Sequence, residues 1–196
     1  MVSSFEPIYT TVCAWARSKD ISVRSTVLGP NKAGEFDGVS ATMNSSYSAE
    51  ERTYYLVHAL GSIVRWSLSR AAVQEMFQEL RAAKKTREQD PARLESAIDR
   101  YRAFEIESSE FAVWLLAELG HRNAISSFTN FMRADLEALT QFHHQGVAPV
   151  WRDFFARWNE DIRLGRRTVD EYQPKPIPNF EPRQIDKQEI LQEQPK

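Results

Sequence analysis

The apolar residues of this chain fall into two kinds of spacing. After Pro7, Ile8, Val12 and Trp15 recur at helical intervals with Cys13 beside them, which predicts a short helix ending near Lys19. From Ile21 to Leu28 apolar and polar residues alternate through Ile21, Val23 and Val27, the period of a strand, and Gly29-Pro30-Asn31 breaks it. Phe36 to Asn44 reads as a second short strand with a turn at Asp37-Gly38.

From Ser48 onward the pattern is helical. Ser48 followed by Glu51 fits a capping box, and the turns after it carry Tyr54, Leu56, Val57, Leu60, Ile63, Val64 and Trp66, apolar on nearly every side, so this helix is expected to be central. A further helix is predicted over Arg70 to Lys84. Asp90-Pro91 supplies an N-cap and an N1 proline for a long helix through Leu94, Ile98, Tyr101, Phe104, Phe111, Leu115 and Leu119, with Gly120 as its stop. Two amphipathic helices follow, from about Ile125 to Gly146 and from about Pro149 to Gly165. The last of these carries Trp151, Phe154, Phe155 and Trp158, aromatic enough for core, which is the expectation, or for a partner surface. From Tyr172 to Lys196 five prolines and few apolar anchors predict an extended or disordered tail outside the core. The fold expected is α+β and mainly α, with a two- or three-stranded sheet and five or six helices.

Composition narrows the classes. A hydrophobic fraction of 42% and a charged fraction of 27% suit a globular chain of 196 residues, and a net charge of −2 gives no broad footprint for nucleic acid or anionic lipid. The single cysteine, Cys13, cannot form an internal disulfide. With no basic, apolar leader at Met1 to Trp15 and no run long enough to span a bilayer, the expected location is the cytoplasm and no membrane partner is expected.

Two polar residues stand where the pattern calls for apolar ones. His58 lies in the middle of the apolar helix, where burial without a hydrogen-bond partner costs roughly 1–3 kcal/mol. Glu105 follows Tyr101 by four residues and Ile98 by seven, on the apolar stripe of the long helix, so its carboxylate must be paired, hydrated in a cleft, or raised in pKa.

The segments around these residues resemble the ImmA/IrrE family of zinc metallopeptidases over roughly Ile8 to Leu116. In that family a strand ending in Asn precedes a charged helix start and a helix bearing His-Glu-x-x-His; here these positions read Thr42-Met43-Asn44, Glu50-Glu51-Arg52 and His58-Ala59-Leu60-Gly61-Ser62. The family's second motif, Glu-x-Glu-Ala-Asn-x-Phe-Ala with a following leucine pair, corresponds to Glu105-Ile106-Glu107-Ser108-Ser109-Glu110-Phe111-Ala112 and Leu115-Leu116. The resemblance implies a zincin-like domain over residues 1–120; the helical pattern over 121–171 is expected to pack on it as an extension, and the proline-rich composition of 172–196 to form an extended or disordered tail. The resemblance also implies that His58, Ser62 and Glu105 are the vestigial metal positions, with Ser109 as a supporting neighbour.

The departures from the family govern the functional expectation. Ala59 replaces the general base and Ser62 the second histidine, leaving two zinc ligands where a catalytic site uses three plus water. No active catalytic residue and no cofactor are expected. His143 and His144 are adjacent and on a helix point about 100° apart, so both cannot face one ion. The expected function is that of a catalytically inactive, regulatory, protein-binding module, whose partner by family analogy is a helix-turn-helix transcription regulator. Two alternatives remain: a peptidase with altered metal ligands, and a DNA-binding regulator using the corner from Leu116 to Phe128, which has a helix-turn-helix character but offers few basic residues.

Overall fold

The computed structural model describes residues 5–29, 32–147 and 149–185. The elements run in the order α1 (Phe5–Ser18), β1 (Ser22–Thr26), β2 (Gly34–Phe36), β3 (Ser40–Asn44), α2 (Ala49–Leu68), α3 (Arg70–Lys85), α4 (Pro91–Glu118), α5 (Ile125–Gln145) and α6 (Trp151–Arg163), with a 3-10 turn at Arg122–Ala124 before α5. The fold is α+β and mainly helical, with six helices and a small mixed sheet among the described residues.

The sheet has the order β1-β3-β2, with β1 parallel to β3 (Val23 opposite Ala41) and β2 antiparallel to it (Glu35 opposite Thr42). The segment read as one strand with a turn is therefore two strands joined at that turn. Gly38 sits there at φ 88°, a left-handed conformation that glycine adopts without steric cost. Ala41 and Met43 on β3 turn inward, while β1 is mostly exposed. Asn44, fully buried, ends β3 by tying down the preceding loop: its side-chain amide donates to the carbonyls of Gly29 and Lys32, and its Oδ1 accepts from the N–H groups of Leu28 and Ser46.

The centre of the fold is α2. Its start is a complete capping box, with Ser48 Oγ accepting from the Glu51 N–H at 3.2 Å and the Glu51 carboxylate accepting from the Ser48 N–H at 2.9 Å. Leu56, Val57, Leu60, Ile63 and Val64 are at 0% exposure, as expected of a helix enclosed on all sides. It packs against α1, α4, α5 and the sheet. Against α4 the approach is so close that a Cβ added at Gly61 would lie 2.0 Å from the backbone oxygen of Ser108. In α1 the buried face is Ile8, Val12 and Ala16, whereas Trp15 stands at its edge.

Asp90 caps α4 through the Arg93 N–H at 3.0 Å, with Pro91 in the first turn. The other end closes at Gly120, φ 82°, where the His121 N–H reaches the Leu116 carbonyl. Beyond that corner, Ser127 in the first turn of α5 is committed to the Tyr54 hydroxyl at 2.5 Å. Phe154 and Trp158 of α6 pack on Ala134 and Ala138 of α5 as a satellite of the main core.

The tail departs from expectation within its described part. Residues 172–185 are extended, but they do not lie off the core: Tyr172 and Ile185 are 3% and 5% exposed and belong to the hydrophobic clusters. The prolines keep the segment extended while two apolar side chains and Phe180 anchor it, a pattern that composition averages away. The expectation for residues 186–196 falls outside the described residues.

Candidate functional site: a largely buried histidine–glutamate pair

Where α2, α4 and α5 converge, His58 Nε2 lies 2.8 Å from Glu105 Oε2, with 13% and 12% of the two side chains exposed. The other imidazole nitrogen, Nδ1, is 3.2 Å from Ser109 Oγ, one turn further along α4, and that hydroxyl donates to the Glu105 carbonyl at 3.0 Å. Both ring nitrogens of His58 thus have protein partners, which removes the desolvation cost of a polar ring on an apolar helix.

The structure brings together three of the residues singled out from sequence: His58, Glu105 and Ser109. It does not add Ser62 as a further arm of the cluster. Ser62 is 2% exposed, and its hydroxyl donates to the carbonyl of His58 at 3.2 Å, back along its own helix. Ala59 is 6% exposed and packs in the main core. The donor set fits zinc poorly: position 62 offers a hydroxyl already bonded to backbone, which leaves His58 and Glu105 as two ligands where a catalytic site uses three plus water. Among the described residues no group of three or more His, Cys, Asp or Glu side chains is arranged to hold a metal ion.

Asp135 on α5 was not singled out in the sequence. Its carboxyl is pushed up to about 7 by burial; His58 pulls it down, Glu105 raises it and the Tyr55 hydroxyl, in a long 3.5 Å contact, lowers it again. The signal for it was present: Asp135 falls three residues after Met132 and seven after Phe128, on the buried face of α5, by the same reasoning that picks out Glu105 on α4. Tyr101 completes this side. It is 7% exposed, its hydroxyl is raised well above its usual pKa by burial and then by the Glu105 carboxylate, and its ring packs edge-on against His143 at 4.7 Å. Burial lowers the His143 imidazole to about 4, so at neutral pH it is an uncharged ring in the packing. His144 instead pairs with Glu95, away from this ring.

Tyr172 from the C-terminal arm closes the other side. Its hydroxyl is buried with no hydrogen-bond partner among the described residues, and its ring lies beneath the Arg133 guanidinium, 3.9 Å from carbon to centroid. No motif marks Tyr172 in the sequence, because its role depends on where an extended segment happens to run.

Chemically, the arrangement is a largely buried imidazole–carboxylate pair with a serine hydroxyl on the second ring nitrogen. His58 lies between the Glu105 carboxylate and the Ser109 hydroxyl, and Asp135 feels the imidazole's field without a hydrogen bond to it, but Ser109 at 1% exposure is not positioned to meet a substrate. Comparison of the chain with protein-family models, curated proteins and solved structures gave no match. No helix among the described residues is long and apolar enough to cross a membrane.

Proposed function

We propose that this chain is a catalytically inactive relative of ImmA/IrrE-type metallopeptidases that acts by binding another protein, in a regulatory role in the cytoplasm. The observation that carries the reading is the contact of His58 with Glu105 at 2.8 Å. Two residues 47 positions apart, matched to the family's first and third zinc ligands, stand at one point in space. A pair at that separation across two packed helices is what an emptied ligand set would leave behind. In place of the metal, the carboxylate and the Ser109 hydroxyl satisfy the imidazole.

Two losses argue for binding in place of hydrolysis. With Ala59 there is no carboxylate to take a proton from an attacking water, and with Ser62 turned to its own helix there is no third ligand to hold an ion. The partner class, a helix-turn-helix transcription regulator, follows from family analogy. A DNA-binding role through the α4–α5 corner is less well supported, since Ser127 at the start of α5 is held internally by Tyr54.

The test is quantitative copurification of the full chain from its native host, wild type against His58→Ala and against a surface control, with metal analysis of the same samples. A stoichiometric protein partner and no bound zinc is the expected result. Stoichiometric zinc with chelator-sensitive cleavage of a peptide overturns the reading.

A further inference from the structure

From Tyr172 to Ile185 the chain is extended and mostly exposed, and it is held at intervals. The Lys175 N–H donates to the Glu110 carbonyl at 3.1 Å, and its ammonium pairs with Glu107 and sits 5.3 Å from the Phe111 ring centroid. Phe180 stacks on Trp15, which accounts for that tryptophan standing at the edge of α1. Further on, Trp66 Nε1 donates to the Arg183 carbonyl at 3.1 Å and the Ile185 N–H to the Asp37 carbonyl at 2.6 Å. The turn is shaped to this segment, since a Cβ added at Gly38 would lie 2.0 Å from the Arg183 oxygen.

Between these anchors Pro174, Pro176, Pro178 and Pro182 remove backbone donors and pre-set an extended conformation. Few main-chain bonds, spaced aromatic and basic anchors and a stiff proline-rich backbone are the means by which grooves recognise extended peptides, because little conformational entropy is lost on binding. One end of the groove is at Tyr172, which is buried and has the Arg133 guanidinium over its ring.

We propose that residues 172–185 are a tethered ligand of the chain's own peptide groove, and that they compete there with an extended, proline-containing segment of a protein partner that carries an aromatic residue three positions before a lysine. The proposal rests on the protein-binding reading above and adds to it the chemistry of the partner segment and its regulation. A short tether keeps the arm at an effective concentration in the millimolar range, so it excludes dilute competitors and yields only to a segment with better contacts. Opening is local: between the buried Tyr172 and Ile185 the arm is mostly exposed, whereas α2 is enclosed by the core.

Two measurements on the full chain test this. In native-state hydrogen exchange of the wild type, the Lys175 and Ile185 amides are expected to exchange about 100-fold faster than the central amides of α2, through opening of the arm alone. Exchange of both sets at one rate, through global unfolding, overturns the proposal and needs no variant. In the second, a labelled synthetic peptide of residues 170–185 is titrated into wild type and into Tyr172→Ala/Lys175→Glu. The variant, whose own arm is weakened, is expected to bind the peptide about 10-fold or more tightly than wild type. Equal binding overturns the proposal. Either failure leaves the inactive-site reading standing, because that reading is decided by metal content and not by arm opening.

Discussion

The imidazole of His58 on α2 and the carboxylate of Glu105 on α4 meet at 2.8 Å in a region where little of either side chain reaches solvent. Each is the other's principal partner, so removing one leaves the other buried and unsatisfied. Glu105→Ala is expected to lower stability by about 1–3 kcal/mol in urea denaturation, with Glu105→Gln costing less because its amide oxygen still accepts a hydrogen bond. An alanine variant as stable as wild type would show that the contact carries no weight.

Gly61 is expected to tolerate no side chain. The Ser108 backbone oxygen would lie 2.0 Å from a Cβ at that position, and backbone cannot swing away as a side-chain tip can. Gly61→Ala should therefore push α2 and α4 apart, at a cost of about 1–3 kcal/mol or more, despite alanine's better helix propensity. A higher melting temperature for this variant would contradict the packing described.

Asp135 gives the fold a pH dependence of known sign. Its carboxyl stands at about 7 against an ordinary 3.8, so its contribution is fully present below about 4 and is lost as pH rises through about 7. His143, lowered from 6.5 to about 4, does the opposite: its contribution is present above 6.5 and lost as pH falls through about 4. Between these limits the two oppose each other. Asp135→Asn, which mimics the protonated acid, is expected to be more stable than wild type at pH 8 by about 1–3 kcal/mol, with the gain vanishing toward pH 4. Stability curves that stay parallel across that range would contradict the assignment.

Deleting the chain from Pro182 onward removes the carbonyl that Trp66 Nε1 donates to, along with the buried Ile185 side chain. The truncated chain is expected to remain folded but to lose about 2–4 kcal/mol, from one orphaned indole N–H and one lost apolar anchor. An unchanged thermal midpoint would show that the arm is not docked in solution.

The helices were legible because each carries its own boundary chemistry. Ser48 with Glu51, Asp90 with Pro91, and the glycines at 120, 146 and 165 mark their ends in the sequence, and the structure places the ends within a residue or two of them. His58 and Glu105 were legible for a related reason: a polar residue on an apolar stripe must find a partner, and each was the other's. Asp135 obeys that rule equally and was overlooked because α5 is less continuously apolar than α2. The docking of the arm could not be read at all. Tyr172 and Ile185 are buried by surfaces that exist only once α4, α5 and the β2–β3 turn are assembled, and no periodicity within the arm announces them.

The central claim, that this is an emptied ligand set in a protein-binding module, is tested most directly by counting zinc per chain in purified wild type, Ala59→Glu and Ala59→Glu/Ser62→His. Ala59→Glu restores only the base and should take up no metal, whereas the double change rebuilds an i, i+4 histidine pair beside Glu105. Both substituted positions are buried, so the double variant is expected to lose about 1–3 kcal/mol of stability from overpacking while gaining one zinc. Wild type without stoichiometric zinc and a double variant with one zinc per chain is the result this account predicts. One zinc per chain in the wild type, lost on His58→Ala, would contradict it.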